Sequence, residues 1–212
     1  DLAQQVIDTF DLMCQEDSAA LAWWRPGHTL ALAGLEFQRG DFSKAAALYE
    51  DLLNQLDSTL EENKQRIRTG KIYLARCRLQ MRMYDVAEAV LPLIDSELTR
   101  SDLANSQQSF DHVNIHGHIL RERGLLNEAA STYLRVITVI KDHEIQYAAT
   151  YAEALVGLGE IHYERQEFHE ADSLFSAAAS FLYRYLGENH PLFPEALLGM
   201  ARVQTMLARF PT

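Results

Sequence analysis

Residues 151–192 read YAEALVGLGEIHYERQEFHEADSLFSAAASFLYRYLGENHPL, and this stretch can be laid over its neighbours in steps of 42 residues. Glu195-Ala196-Leu197-Leu198-Gly199-Met200-Ala201 repeats Glu153-Ala154-Leu155-Val156-Gly157-Leu158-Gly159. Stepping backwards, Phe168 maps to Leu126, Tyr84 and Phe42, and Ala171 maps to Ala129, Ala87 and Ala45. Phe175 maps to Tyr133, Leu91 and Tyr49, while Gly159 maps to Gly117, Ala75 and Ala33. A fixed period between about 20 and 50 residues is the signature of a repeat array. Small residues at Gly159 and Ala171 let two helices approach closely, where a longer side chain would hold them apart. Phe168 opens the second helix, and Phe175 returns to the same face seven residues on. A single hairpin cannot bury such a face alone, so the pattern predicts stacked helix pairs.

The pattern resembles the tetratricopeptide repeat in its 42-residue form. The link Tyr185-Leu186-Gly187-Glu188-Asn189-His190-Pro191 is similar to the LGxxHP connection of kinesin light chains. Gly187 suits the left-handed turn that ends a helix, and Pro191 suits the start of the next. The motif occurs once, and Gly157, Gly199 or Ala31 stands where that family carries an asparagine before its leucine-small pair. The resemblance implies an all-α fold, a right-handed α-α superhelix of four full repeats flanked by half-repeats. The expected divisions are a second helix of a truncated leading repeat in 1–24, full repeats at 25–66, 67–108, 109–150 and 151–192, and the first helix of another in 193–212. A chain that opens and closes inside repeats is expected to be a piece of a larger protein.

Along the chain, Ala3 and Ile7 take the slots of Ala45 and Tyr49, which makes Asp1–Gln15 an expected second helix. Trp23-Trp24-Arg25-Pro26-Gly27 is expected to interrupt helical patterning, with Pro26 starting a helix over His28–Arg39 and one tryptophan in the first seam between repeats. Ser43–Leu56, Arg66–Arg82, Tyr84–Leu98, Gln107–Arg123, Asn127–Lys141, Gln146–Arg184 and Leu192–Ala208 supply the remaining helical segments. Pro92 should kink the helix it falls in, and Asn127 is a natural N-cap.

Composition narrows the function. The chain has 212 residues, 48% of them apolar, and a net charge of −11. That charge opposes a grip on a phosphate backbone, which needs clustered Lys and Arg. Cys14 and Cys77 lack CxxC spacing, which suits free thiols in a reducing compartment. No signal-peptide pattern and no run of 18 apolar residues is present, so a cytoplasmic location without membrane contact is expected. His112 and His116 lie four apart and share a helix face, a spacing that can bind zinc. His116 fills the slot of Leu32, Leu74 and Leu158, however, which points to packing. No GxSxG motif, phosphate loop or Cys–His pairing is present. The carboxylates Glu160, Glu164, Glu167, Glu170 and Asp172 spread around two helices as a solvated face would. Neither an enzyme nor a cofactor or metal site is expected.

The remaining candidate is the surface. In tetratricopeptide arrays the first helix of each repeat lines a concave groove, so the resemblance assigns groove positions by register. They are Tyr73, Arg76 and Gln80; Asn114, His118 and Arg121; Glu160, Tyr163 and Glu164; and Arg202. The implied function is a non-catalytic scaffold that holds a peptide or helix of a partner protein in this groove. Two other readings are a ligand- or inhibitor-sensing arm of a multidomain regulator, and a spacer that self-associates through its open ends. The regular Lys/Asn/Arg set of carboxylate-clamping repeats is not present.

The register itself is testable. Ala129→Leu should overpack the hairpin and lower stability by roughly 1–3 kcal/mol, whereas Glu164→Ala should change it little. Equal and small shifts in thermal melting would contradict the assignment.

Overall fold

The computed structural model describes residue 9 and residues 18–91, 107–140 and 146–209. Apart from residue 9, the leading helix expected in 1–15, and with it Cys14, lies outside these residues. The helices are α1 (Ser18–Gln38), α2 (Phe42–Gln55), α3 (Glu61–Gln80), α4 (Tyr84–Val90), α5 (Gln107–Glu122), α6 (Leu126–Ile140), α7 (Ala148–Glu164), α8 (Phe168–Tyr185) and α9 (Leu192–Arg209). No strand occurs among the described residues. The chain divides into two compact units, residues 1–93 and 94–212.

Each hairpin turns at one backbone position that recurs every 42 residues. Gly40, Arg82, Gly124 and Gln166 all have positive φ, at 81°, 58°, 77° and 64°. The bonding around each is the same. Gly40 N–H donates to the Phe37 carbonyl and Asp41 N–H to that of Glu36, and Gln166 and Glu167 repeat the pattern on Tyr163 and His162. This is the paired closure that satisfies the last carbonyls of a helix. Glycine adopts it without cost, while Arg82 and Gln166 hold a conformation that disfavours an L-residue by about 1 kcal/mol. The second helix then restarts, and at α2 the Asp41 side chain accepts from Lys44 N–H at 3.1 Å.

The unit of residues 94–212 shows what the small slots are for. The ring of Tyr133, on α6, is buried between Gly117 of its own hairpin and Gly157 of the following helix. Forty-two residues on, the ring of Phe175, on α8, sits in the same way between Gly159 and Gly199. A methyl group would come to 3.0 Å from a ring at Gly117 or Gly159, and closer than 3.0 Å at Gly157 and Gly199. Burying each ring contributes about 1.5–3 kcal/mol. Around them Val113, Ala129, Val136, Ile140 and Ile161 form one cluster, and Ala171, Ala178, Leu182, Ala196 and Val203 another. Burial of the Tyr133 hydroxyl pushes its pKa up, although Arg121 nearby pulls the other way.

The unit of residues 1–93 uses the same register with different side chains. Tyr49 takes the slot of Tyr133, and its core contains Ala33, Ala45, Leu52, Leu74 and Cys77. The position that is glycine at 157 and 199 is Tyr73 here. Its ring lies flat against Tyr49, with centroids 5.7 Å apart and planes 14° apart. Cys77 is fully buried, and burial pushes its thiol up to about 11 against the pull of Arg78.

Three local expectations are corrected. Pro26 does not start a helix; it lies inside α1, which runs unbroken from Ser18. The helix tolerates the missing N–H over one turn, and the Thr29 hydroxyl donates to the Arg25 carbonyl at 2.9 Å. The Trp23 and Trp24 side chains lie outside the described residues. The helix expected over Tyr84–Leu98 does not run on to a kink at Pro92; it stops at Val90, and Leu91 is extended at ψ 125°. The ring of a proline disfavours helical geometry in the residue before it, so termination is the cheaper outcome; residues 92–98 lie outside the described set. Asn127 is not a cap, because α6 starts one residue earlier. Its Oδ1 accepts instead from Arg165 Nη2 at 2.6 Å, joining α6 to the turn after α7.

The ring-and-glycine packing predicts an ordering of three alanine variants. Gly157→Ala and Gly199→Ala should each cost about 1–3 kcal/mol through overpacking. Gly34→Ala should be neutral or stabilising, since the nearest atom to its added methyl is 3.9 Å away and alanine favours a helix interior. Chemical denaturation of the three variants gives the comparison.

Candidate functional site

In the unit of residues 94–212 the first helices form one layer. α5 packs on α7 and α7 on α9, while α6 and α8 touch each other at most marginally. That unit therefore curves towards the α5–α7–α9 side, where the register placed its groove residues.

A row of charge crosses those three helices. Arg121 on α5 donates from Nη2 to Glu122 at 2.8 Å, and its Nη1 and Nε lie 3.8 Å and 3.7 Å from Glu160 and Glu164 on α7. Arg202 on α9 donates from Nη1 to both oxygens of Glu160, at 2.9 and 3.2 Å. Its guanidinium lies over the Tyr163 ring, 4.3 Å from the centroid. His118 Nε2 is 3.6 Å from Glu122. Glu160 thus links two arginines from different helices, and Tyr163 gives one of them a flat surface.

The ionisation of these groups follows from their neighbours. Burial pulls the Arg121 guanidinium down, but its bond to Glu122 and the charge of Glu160 outweigh that, and it is raised. Arg202 is raised in the same way, against burial, chiefly by Glu160. Glu164 is pushed up by partial burial, and the carboxylates of Glu160 and Glu122 add to the push while Arg121 and Arg202 oppose it.

Six of the expected groove residues are therefore brought together: His118, Arg121, Glu160, Tyr163, Glu164 and Arg202. Asn114 is a correction. It is only 1% exposed, so it cannot face a ligand. Its Nδ2 donates to the Thr150 carbonyl at 2.9 Å and to Glu153 at 3.3 Å, tying α5 to α7. Thr150 in turn donates through Oγ1 to Asp111 at 2.8 Å. Glu122 belongs to the row but was not among the expected residues. The register could have found it, since it is the 42-residue counterpart of Gln80 and Glu164.

Tyr73, Arg76 and Gln80 lie together on α3 in the unit of residues 1–93. Tyr73 is 38% exposed, with Tyr49 behind it and Phe37 edge-on at 5.8 Å. Arg76 is half-buried and Gln80 exposed. Among the described residues no group of three His, Cys, Asp or Glu side chains is placed to hold a metal ion. No described helix is long and apolar enough to cross a membrane.

Comparison with solved structures agrees with the all-helical architecture. The chain is similar to BtubC (BKLC) from P. vanneervenii, a kinesin-light-chain-like tetratricopeptide protein, with a TM-score of 0.60. The superposition covers 98% of this chain and 89% of that one. The fold is a tetratricopeptide-like helical repeat. Sequence identity over the match is 16%, so the likeness concerns the fold alone. No protein-family profile matches the sequence, and no curated protein matches it.

The raised Glu164 carboxyl makes a pH prediction. The folded state disfavours its charged form, so Glu164→Gln should raise the melting temperature at neutral pH. The gain should grow as pH rises through the folded-state pKa and vanish below the unfolded carboxyl value of about 4.3. Melting curves of both proteins across that range test the sign.

Proposed function

We propose that this chain is a non-catalytic interaction scaffold that docks a peptide or helix of a partner protein on the faces of its first helices. The observation that carries this reading is the row from Arg121 through Glu160 to Arg202. These side chains are held by one another across three helices, with Tyr163 beneath Arg202. Such fixed groups lose little rotamer freedom when a partner arrives, which lowers the entropic cost of binding. The helical-repeat fold supports the same reading, because stacked hairpins present one continuous side to an elongated ligand. The acidic net charge favours a protein partner over nucleic acid, and the residues of the row pair with one another in a way that suggests recognition, not turnover.

The proposal predicts where a partner touches. A photo-crosslinking amino acid placed at Tyr73 or Glu164, on the first helices, should capture a partner from source-cell lysate. The same residue at Leu134 or Tyr183, exposed on the second helices α6 and α8, should not. Adducts confined to the second-helix positions would move the site to the other side of the repeats.

A further inference from the structure

The link from α8 to α9, Leu186-Gly187-Glu188-Asn189-His190-Pro191, is a motif to which peptide docking gives no task. Its bonding is local. Gly187 N–H donates to the Leu182 carbonyl at 2.9 Å and turns the chain at φ 82°. His190 N–H then donates to the Gly187 carbonyl at 3.3 Å. The first amides of a helix have no partner within it. Pro191 has no N–H, so Leu192 and Phe193 present the first two, and His190 takes both. Its ring Nδ1 accepts from Leu192 N–H at 3.3 Å, and its carbonyl accepts from Phe193 N–H at 2.9 Å. The imidazole thus stands where a serine or aspartate oxygen caps other helices.

That substitution makes the cap depend on protonation. A ring nitrogen that accepts a hydrogen bond is unprotonated, so this contact requires neutral imidazole with its proton on Nε2. A second proton turns Nδ1 into a donor facing another donor, and puts positive charge at the positive end of the helix dipole. Partial burial lowers the pKa of the ring, and the Glu153 carboxylate on α7 opposes this without cancelling it. The other charged groups nearest along the chain are Glu188 in the link and Glu195 in the first turn of α9. Arg184, with the phenols of Tyr183 and Tyr185, ends α8.

We infer that His190 is an acid-sensitive latch: its neutral ring closes the joint between the α7–α8 hairpin and α9, and its protonation opens that joint. Leu192 and Phe193 pack on the cluster around Phe175, and the Phe193 ring lies 6.2 Å from that of Tyr183. Losing the cap loosens this corner. The rest of α9 stays docked, because Gly199 lies against the Phe175 ring and Ala196 and Val203 are fully buried. The folded state disfavours the charged ring, so the latch contributes fully above the unfolded histidine value of about 6.5. Its contribution is lost as pH falls from there through the folded value. The latch acts whatever the repeats bind.

The test is nuclear magnetic resonance on the whole chain from about pH 7.5 to about pH 5, the range in which histidine changes charge. Ring nitrogen shifts should show the Nε2–H tautomer at the upper end and a His190 midpoint below about 6.5. Amide exchange, corrected for the intrinsic rate, should show protection of Leu192 and Phe193 falling about fivefold with that midpoint, as for a lost cap. Val203 should not follow. His190→Asn keeps an uncharged capping side chain, so its protection should stay within about twofold across the range. His169→Asn, at an exposed histidine of α8, should leave the original pattern intact. An Nδ1–H tautomer, a midpoint above about 6.5, protection unmoved by pH, or the same fall in His190→Asn overturns the inference. If His190→Asn does not fold, the tautomer and the two midpoints in the unaltered chain decide instead. Coinciding ring and amide midpoints support the latch, and differing ones overturn it.

Discussion

Tyr133 and Phe175 each lie with the ring held between two glycines, one from their own hairpin and one from the helix that follows. The contact depends on the absence of Cβ atoms, because helix backbone then meets the aromatic ring directly. The same contact closes the hairpin and docks the next helix, so intra-repeat and inter-repeat packing cannot be separated. Close packing at interior density makes the arrangement intolerant of even one methylene, and this fixes the spacing of α5, α7 and α9. The charged row across those helices depends on that spacing. Arg121, Glu160 and Arg202 meet only because successive first helices stand close together.

The unit of residues 1–93 keeps the register and alters the contact. Tyr73 replaces glycine and stacks on Tyr49 in place of letting backbone approach it. The exchange has a consequence at the surface. A glycine at that slot exposes no side chain, whereas Tyr73 places an aromatic ring on the outer face of α3. One substitution in a packing slot thus changes what the helix can present to a partner.

The polar contacts divide by burial. Asn114, Thr150 and Asp111 form a mostly buried set whose hydrogen bonds join α5 to α7. The Arg121–Glu160–Arg202 row is part-exposed, and its worth to stability is correspondingly modest and dependent on salt. Its interest lies in orientation. Two guanidinium groups and a tyrosine ring are held in place by neighbours on three helices before any ligand arrives.

The sequence by itself determined the repeat, because a 42-residue register of small and aromatic slots reports a packing requirement directly. Gly187 was readable as a left-handed turn residue, and it has positive φ, as do Gly40 and Gly124. Arg82 and Gln166 take the same conformation and carry no such signal, since the turn is imposed there by the helices it joins. Pro26 and Pro92 were both read too locally: one is absorbed within a helix and the other marks a helix end, and which of these a proline does depends on what the flanking residues can pack against. Register also brought together most of the charged row across α5, α7 and α9. Only the tertiary structure decided that Asn114 points inward, because two residues one step apart on a helix differ by 100° in direction, and the neighbouring helix selects which of them it buries.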